Sequence, residues 1–196
     1  VYKRQYYAYA NKDFTGFESE PKQLFSAKYG SIDNDIIEKD GTYHLFYKGN
    51  TKDENGKEIK NGIQQATSKS LKGKWKEDFK YLDAYAGKTP VEGSSIFKLN
   101  GKDEYVLMYD MYTSGRYEYQ TSTDLYHFSE PKAFTKDFFP RHGSVISLTR
   151  DELQRLQEKW GYVVRYEFES QGNPIVRHIH TADPCLLYTS DAADEL

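Results

Sequence analysis

Asp33, Glu92 and His142 are the residues of this chain whose types and spacing could do chemistry together. The run Ile32-Asp33-Asn34-Asp35-Ile36-Ile37 aligns with Val91-Glu92-Gly93-Ser94-Ser95-Ile96 at an offset of 59 (92 − 33), which sets Asp33 opposite Glu92. Arg141-His142-Gly143-Ser144-Val145-Ile146 fits the same frame, with His142 opposite Glu92 at an offset of 50 (142 − 92). Two carboxylates that converge on a pocket floor suit general acid–base work, such as glycoside hydrolysis, which needs a proton donor and a carboxylate across the scissile bond. A carboxyl group beside another carboxylate in a partly enclosed pocket holds its proton toward neutral pH. An inward acid also serves to satisfy backbone N–H groups or to bind an axial cation, and the residues alone leave these uses open.

The elements that must bring such distant residues together repeat as well. Lys39-Asp40-Gly41-Thr42-Tyr43-His44-Leu45-Phe46-Tyr47 matches residues 100–109 with two extra turn residues. Lys12-Asp13-Phe14, Lys69-Ser70-Leu71 and Thr123-Asp124-Leu125 form a third recurring run, each followed by an aromatic: Phe17, Trp75 and Phe128. A period of roughly 50–60 residues made of short alternating strands and Gly turns is the mark of β-propeller blades, each a four-stranded sheet in a ring. The first strand of every blade lines the axis, so equivalent side chains on those strands meet there.

The fold class is therefore all-β, a partial β-propeller of about three blades. Residues 6–10 read as an interior strand of one blade, residues 31–82 as a complete blade, residues 91–134 as the next, and a third begins at His142. The period then changes. Leu153, Leu156 and Trp160 fall at helical spacing, Thr149 is a candidate N-cap and Gly161 a stop, so one short helix is expected near residues 150–160.

The two ends carry a matched inverted pair of short runs, Val1-Tyr2-Lys3-Arg4-Gln5 and Cys185-Leu186-Leu187-Tyr188-Thr189, which resemble translations of the two strands of one sequencing adapter. Residues 1–5 and 185–196 are accordingly set aside, and the chain is expected to be cut from a longer reading frame. Within it, residues 6–150 are expected to form an incomplete propeller, 151–172 a helix and linker, and 173–184 to be a candidate start of a second propeller.

Of 27 basic and 30 acidic residues, the ends hold Lys3, Arg4, Asp191, Asp194 and Glu195, leaving 25 against 27. That balance argues against nucleic acid or an anionic membrane as partner. The one cysteine, Cys185, lies in the excluded end, so neither a disulfide framework nor a thiolate metal site is on offer. No apolar run approaches the ~18 residues of a membrane-spanning helix. The 18 tyrosines suit sugars, whose C–H faces pack on rings, and suit strands equally well.

These motifs together carry a resemblance. Val-Glu-Gly on one inner strand, Ile-Asp one blade earlier, Asp-Gly-x-Tyr-x-Leu-Phe-Tyr, Thr-Ser-x-Ser-Leu-x-Gly-x-Trp and Arg-His-Gly-Ser-Val resemble glycoside hydrolase family 43 and its close relatives, over about residues 9–150. The resemblance implies a five-bladed propeller that releases arabinosyl, xylosyl or galactosyl units from plant polysaccharides with inversion. Glu92 then matches the general acid, and Asp33 the Asp that raises the acid's pKa and orients it. His142 matches the axial histidine near a central water or calcium ion, and Arg141 a substrate contact.

Asp35 shares a strand face with Asp33 by the two-residue period and joins the substrate-facing set, as do Asp110 and Arg116. Thr181-Ala182-Asp183-Pro184 is similar to the family's first-blade motif, which makes Asp183 the general base of a second module. The runner-up places Asp183 on a later blade of the same ring. No residue in 6–32 can stand in for that base, so the chain alone is expected to be inactive.

The resemblance implies no required cofactor, a possible structural calcium, an oligo- or polysaccharide as partner, and a periplasmic or extracellular location. A carbohydrate-binding propeller without turnover is the alternative.

Overall fold

The computed structural model describes residues 4–52, 55–86, 88–133 and 141–161. Its strands, in chain order, are β1 (Gln5–Tyr7), β2 (Lys22–Phe25), β3 (Ser31–Lys39), β4 (Thr42–Lys52), β5 (Glu58–Ser68), β6 (Lys76–Glu77), β7 (Glu92–Lys98), β8 (Tyr105–Met111), β9 (Arg116–Ser122) and β10 (Lys132–Ala133), followed by helix α1 (Arg150–Trp160). β3 to β6 form one four-stranded antiparallel sheet and β7 to β10 another, each in simple sequential order, while β1 and β2 pair on their own. The two four-stranded sheets are the propeller blades expected at residues 31–82 and 91–134.

The two-residue period of strands explains how the blades stack. On β4, Leu45 and Tyr47 point one way, into a cluster with Phe25, Ala27 and Ala66. Phe46, between them, points the other way and packs with Val91, Ile96, Leu107, Tyr109 and Leu125 of the following blade. All three are fully buried, because a blade inside a ring has a neighbour on each face. β8 repeats the pattern: Leu107 and Tyr109 face the earlier blade, and Val106 and Met108 join Tyr117 on the far side.

Local signals set the connections. Asp40 and Gly41, both at positive φ (50° and 69°), make the two-residue hairpin turn between β3 and β4 that an Asp-Gly pair favours. Leu125 also sits at positive φ, is wholly buried, and presents its carbonyl to the Gln65 Nε2 of the earlier blade at 2.8 Å. Thr149 caps α1 through a reciprocal bond with Glu152, and Gly161 closes it, as the sequence predicts.

One expectation needs correction. Residues 141–149 contain no strand, so His142 is delivered by a loop and opens no third blade among the described residues. On α1, Leu153, Leu156 and Trp160 are all exposed.

Candidate active site

The site is built around a bulge that both inner strands share. On β3 the pairing with β4 slips between Ile32 and Asp35, and on β7 the pairing with β8 slips between Glu92 and Ser95. The residue at the slip has a left-handed backbone in each case, φ 56° at Asp33 and 65° at Gly93. A bulge inserts one unpaired residue and re-aims its neighbours, and Gly or Asp tolerates that conformation better than most residues.

Register then fixes the equivalence between blades. Ile32 pairs with Lys48 and Glu92 with Asp110. Asp33 is therefore the counterpart of Gly93, at an offset of 60 (93 − 33), one residue away from the counterpart assigned by sequence. Asp33 and Glu92 still come to the same place, because each lies at the bulge of its own strand.

Two carboxylates of β3 bind the blades together. Asp33 Oδ2 accepts the Gly93 N–H at 3.0 Å, and the Asp33 carbonyl accepts the Ser94 hydroxyl at 2.8 Å. Asp35 Oδ2 accepts the Ile96 N–H at 2.9 Å, and its Oδ1 accepts the Ile36 N–H at 2.9 Å. Asp35, expected to face substrate, instead ties its carboxylate to backbone on both inner strands.

Glu92 lies at the centre of a charged cluster. Its Oε2 accepts a hydrogen bond from Lys48 Nζ at 2.5 Å, and its Oε1 lies 3.5 Å from His142 Nε2. Asp110, its register partner, is buried and accepts the Arg141 Nε–H at 2.7 Å, with His142 Nε2 3.9 Å away. Opposite Asp110 on β9, burial and the nearby Asp110 charge push the Tyr117 phenol up to about 12, which keeps it neutral.

The His142 ring lies close against Gly93. A Cβ on Gly93 would stand 2.5 Å from its Cδ2 and 2.8 Å from its Nε2, so the Gly that follows Glu92 is required twice, by φ and by space.

Five of the sequence-selected residues thus meet: Asp33, Glu92, Asp110, Arg141 and His142. Arg116 does not join them, because its guanidinium turns outward to Met111 Sδ at 3.6 Å and Glu118 at 3.7 Å. Asp183 lies outside the described residues. Sequence reasoning missed Lys48, whose Nζ also stands 5.0 Å from the Tyr112 ring centroid, and Asn61, whose Nδ2 donates to the Tyr112 hydroxyl at 2.6 Å. The signal for Lys48 was its place: it follows Tyr47 as Asp110 follows Tyr109.

The ligand atoms of Glu92, Asp110 and His142 all lie within 4.8 Å of one another. That set does not fit calcium, which takes six to eight oxygen ligands, because one of the three donors is an imidazole. The two carboxylates are also already neutralised by Lys48 and Arg141. The donors are those of an ion-paired cluster of acids rather than of a metal cage.

Solved structures similar to the chain include the catalytic domain of a family 62 α-L-arabinofuranosidase from Coprinopsis cinerea, at 17% identity and a TM-score of 0.42, covering 55% of this chain and 32% of that one. A second is the α-L-arabinofuranosidase of Podospora anserina in complex with cellotriose, at 20% identity and 0.41, covering 54% and 31%. A third is an endo-arabinase from Bacteroides thetaiotaomicron, at 17% identity and 0.46, covering 70% and 57%. The chain spans about a third of the length of the first two. No curated protein matches it. Residues 1–154 match the profile of the family described as a probable glycosyl hydrolase domain and related to glycoside hydrolase family 43, and the chain belongs to that family.

Proposed function

We propose that this domain supplies the acid side of an inverting glycosidase that releases terminal or side-chain arabinosyl, xylosyl or galactosyl units from plant polysaccharides outside the cytoplasm. Glu92 is the proton donor to the leaving oxygen. Asp33 is a positioning residue: its carboxylate fixes the Gly93 amide, and with it the strand head from which Glu92 projects. Arg141 and His142 border the place of the departing sugar. The observation that carries the reading is the convergence of Glu92, Asp110 and His142 within 4.8 Å at a bulge held from the neighbouring blade. An inverting reaction also needs a carboxylate base for water, and Asp183 or a further blade would provide it.

A panel of arabinosides, xylosides and galactosides, tested on polypeptide carrying this domain and on its Glu92→Gln variant, decides the matter. Loss of most turnover in the variant supports the assignment, and equal turnover in both removes Glu92 as the acid.

The Lys48 contact favours a second reading. An ammonium that donates to Glu92 Oε2 makes this carboxylate an acceptor, as sugar recognition without turnover would use it. Saccharide binding weakened by Glu92→Gln, with no turnover on any glycoside, would select that binding-module reading.

A further inference from the structure

β7 is held to β3 by three bonds that follow one another along the strand. The Gly93 N–H reaches Asp33 Oδ2 at 3.0 Å, the Ser94 hydroxyl reaches the Asp33 carbonyl at 2.8 Å, and the Ile96 N–H reaches Asp35 Oδ2 at 2.9 Å. The chain repeats the donating half of this contact: Gly93-Ser94-Ser95-Ile96 recurs as Gly143-Ser144-Val145-Ile146, at an offset of 50 (143 − 93). It repeats the accepting half as well. Counted from the paired bulges, Ser95 stands where β3 has Asp35, at an offset of 60 (95 − 35), since Asp35 pairs with Phe46 and Ser95 with Met108.

The Ser95 side chain is 1% exposed, and its hydroxyl has no partner among the described residues. A buried hydroxyl left unbonded is costly, and folded proteins seldom keep one. It points away from β3: Ile96 packs toward the first blade, whereas Phe97, two residues after Ser95, joins Val106, Met108 and Tyr117 on the far side. Residues 141–149 span β7 on that side and are tied at both ends. Arg141 Nε donates to Asp110 at 2.7 Å, the His142 ring lies against Gly93, and Ser147 Oγ donates to Asn100 Oδ1 at 2.8 Å. Between these ties Ile146 is 51% exposed, although its match Ile96 is 4% exposed.

We infer that Ser95 is a positioning residue, whose hydroxyl accepts the Ile146 N–H when residues 141–149 dock on β7 as β7 docks on β3. In that form the Ser144 hydroxyl donates to the Gly93 carbonyl, as Ser94 does to Asp33, and the Ile146 side chain leaves water for the cluster of Phe97, Val106 and Met108. Gly93 has no side chain with which to repeat the bond that Asp33 makes, and the His142 ring takes the room this leaves. Docking is favoured twice, by the apolar area of Ile146 and by the satisfied hydroxyl. Arg141 and His142 lead this run, so docking fixes their approach to the site. That consequence rests on the glycosidase reading above; the bond itself does not.

Amide hydrogen exchange, followed by NMR on the isotope-labelled chain, tests the bond without turnover or ligand. The Ile146 amide is expected to exchange about tenfold faster in Ser95→Ala, with the Ile96 amide unchanged, and to return to its original rate in Ser95→Thr, which keeps the hydroxyl. Ser144→Ala, at an exposed position where the fold is not at risk, is expected to give a rise of about threefold. An Ile146 rate unmoved by either Ala substitution overturns the inference. Equal acceleration in Ser95→Ala and Ser95→Thr overturns it too, because the effect is then one of packing.

Binding of arabinose, xylose and galactose, read from the Gly143 amide shift, tests the positioning role. The sugar that binds is expected to do so about threefold more weakly in Ser95→Ala and unchanged in Ser95→Thr. Sugar binding indifferent to Ser95→Ala overturns the positioning role and leaves the bond. Silence toward all three sugars counts against the active-site reading, while the Ile146 rates still decide the bond.

Discussion

The blade β3–β6 and the blade β7–β10 share a backbone and differ in what they do with it. Leu45 and Tyr47 of the first match Leu107 and Tyr109 of the second in burial and direction. Each tyrosine hydroxyl is held by its own sheet, Tyr47 by Glu77 at 3.1 Å and Tyr109 by Gln120 at 2.8 Å. Around the shared bulge the residues diverge. Asp33 stands where the second blade has Gly93, Ile32 where it has Glu92, and Lys48 where it has Asp110. The packing residues are a common frame, and the chemistry comes from the few positions next to the bulge, where opposite charges from successive blades meet.

The comparison can be broken first at its most divergent point. Glu92→Gln keeps the shape and removes the proton, so turnover is expected to fall about 10²–10⁴-fold, measured as kcat on the best glycoside, with the denaturant midpoint nearly unchanged.

Glycines give the next contrast. Gly93→Ala forces a Cβ into the His142 ring at positive φ and is expected to destabilise by roughly 2–5 kcal/mol. Gly101→Ala, also at positive φ but with nothing within 4 Å, is expected to lose only about 1–2 kcal/mol. Urea unfolding of the two variants side by side compares them, and equal losses would show that His142 does not depend on the bulge.

Asp33→Gly gives the first blade the bulge residue of the second. The relaxed φ offsets part of the lost Gly93 contact, so stability is expected to change by less than about 2 kcal/mol. Activity is expected to fall about 10²-fold through misplacement of Glu92. The same drop in an Asp35→Asn variant would sink the special assignment of Asp33.

The smallest effect concerns acid. His44, on the first blade, is buried with Nδ1 unbonded and lies edge-on to Tyr126 at 5.2 Å; Val106 fills that place on the second blade. Burial lowers the His44 pKa below its ordinary value. The unfolded chain then takes up a proton near pH 6.5 that the folded chain refuses. Stability is fully present above that pH and is lost as pH falls toward the folded pKa, by at most about 1.4 kcal/mol per pH unit. Urea midpoints from pH 7.5 to 5 are expected to flatten in His44→Val.

Much of this was legible in the sequence because the signals are local. Asp40-Gly41, the Thr149 cap with Glu152, and the alternation on β4 and β8 each specify their own stretch of chain. The bulges were not legible in register. The left-handed residue is a Gly in one strand and an Asp in the other, so aligning like with like put acid opposite acid and shifted the frame by one. Lys48 could be found only by its place after Tyr47, since a Lys there does not look like the Asp110 that follows Tyr109, and pairing then set it across from Ile32. Arg116 looked like a pocket residue from its neighbours, but its strand position turns it toward Glu118.

The bolts from Asp33 and Asp35 to the amides of Gly93 and Ile96 also bear on how such a domain can evolve. Tandem duplication multiplies blades, yet a copied segment spanning residues 31–77 would carry Asp33, Asp35 and Lys48 without Glu92 or the Gly93 and Ile96 amides. Half a site is inherited with each repeat. New blades can therefore drift freely in sequence, while the pair that holds the acid must change together.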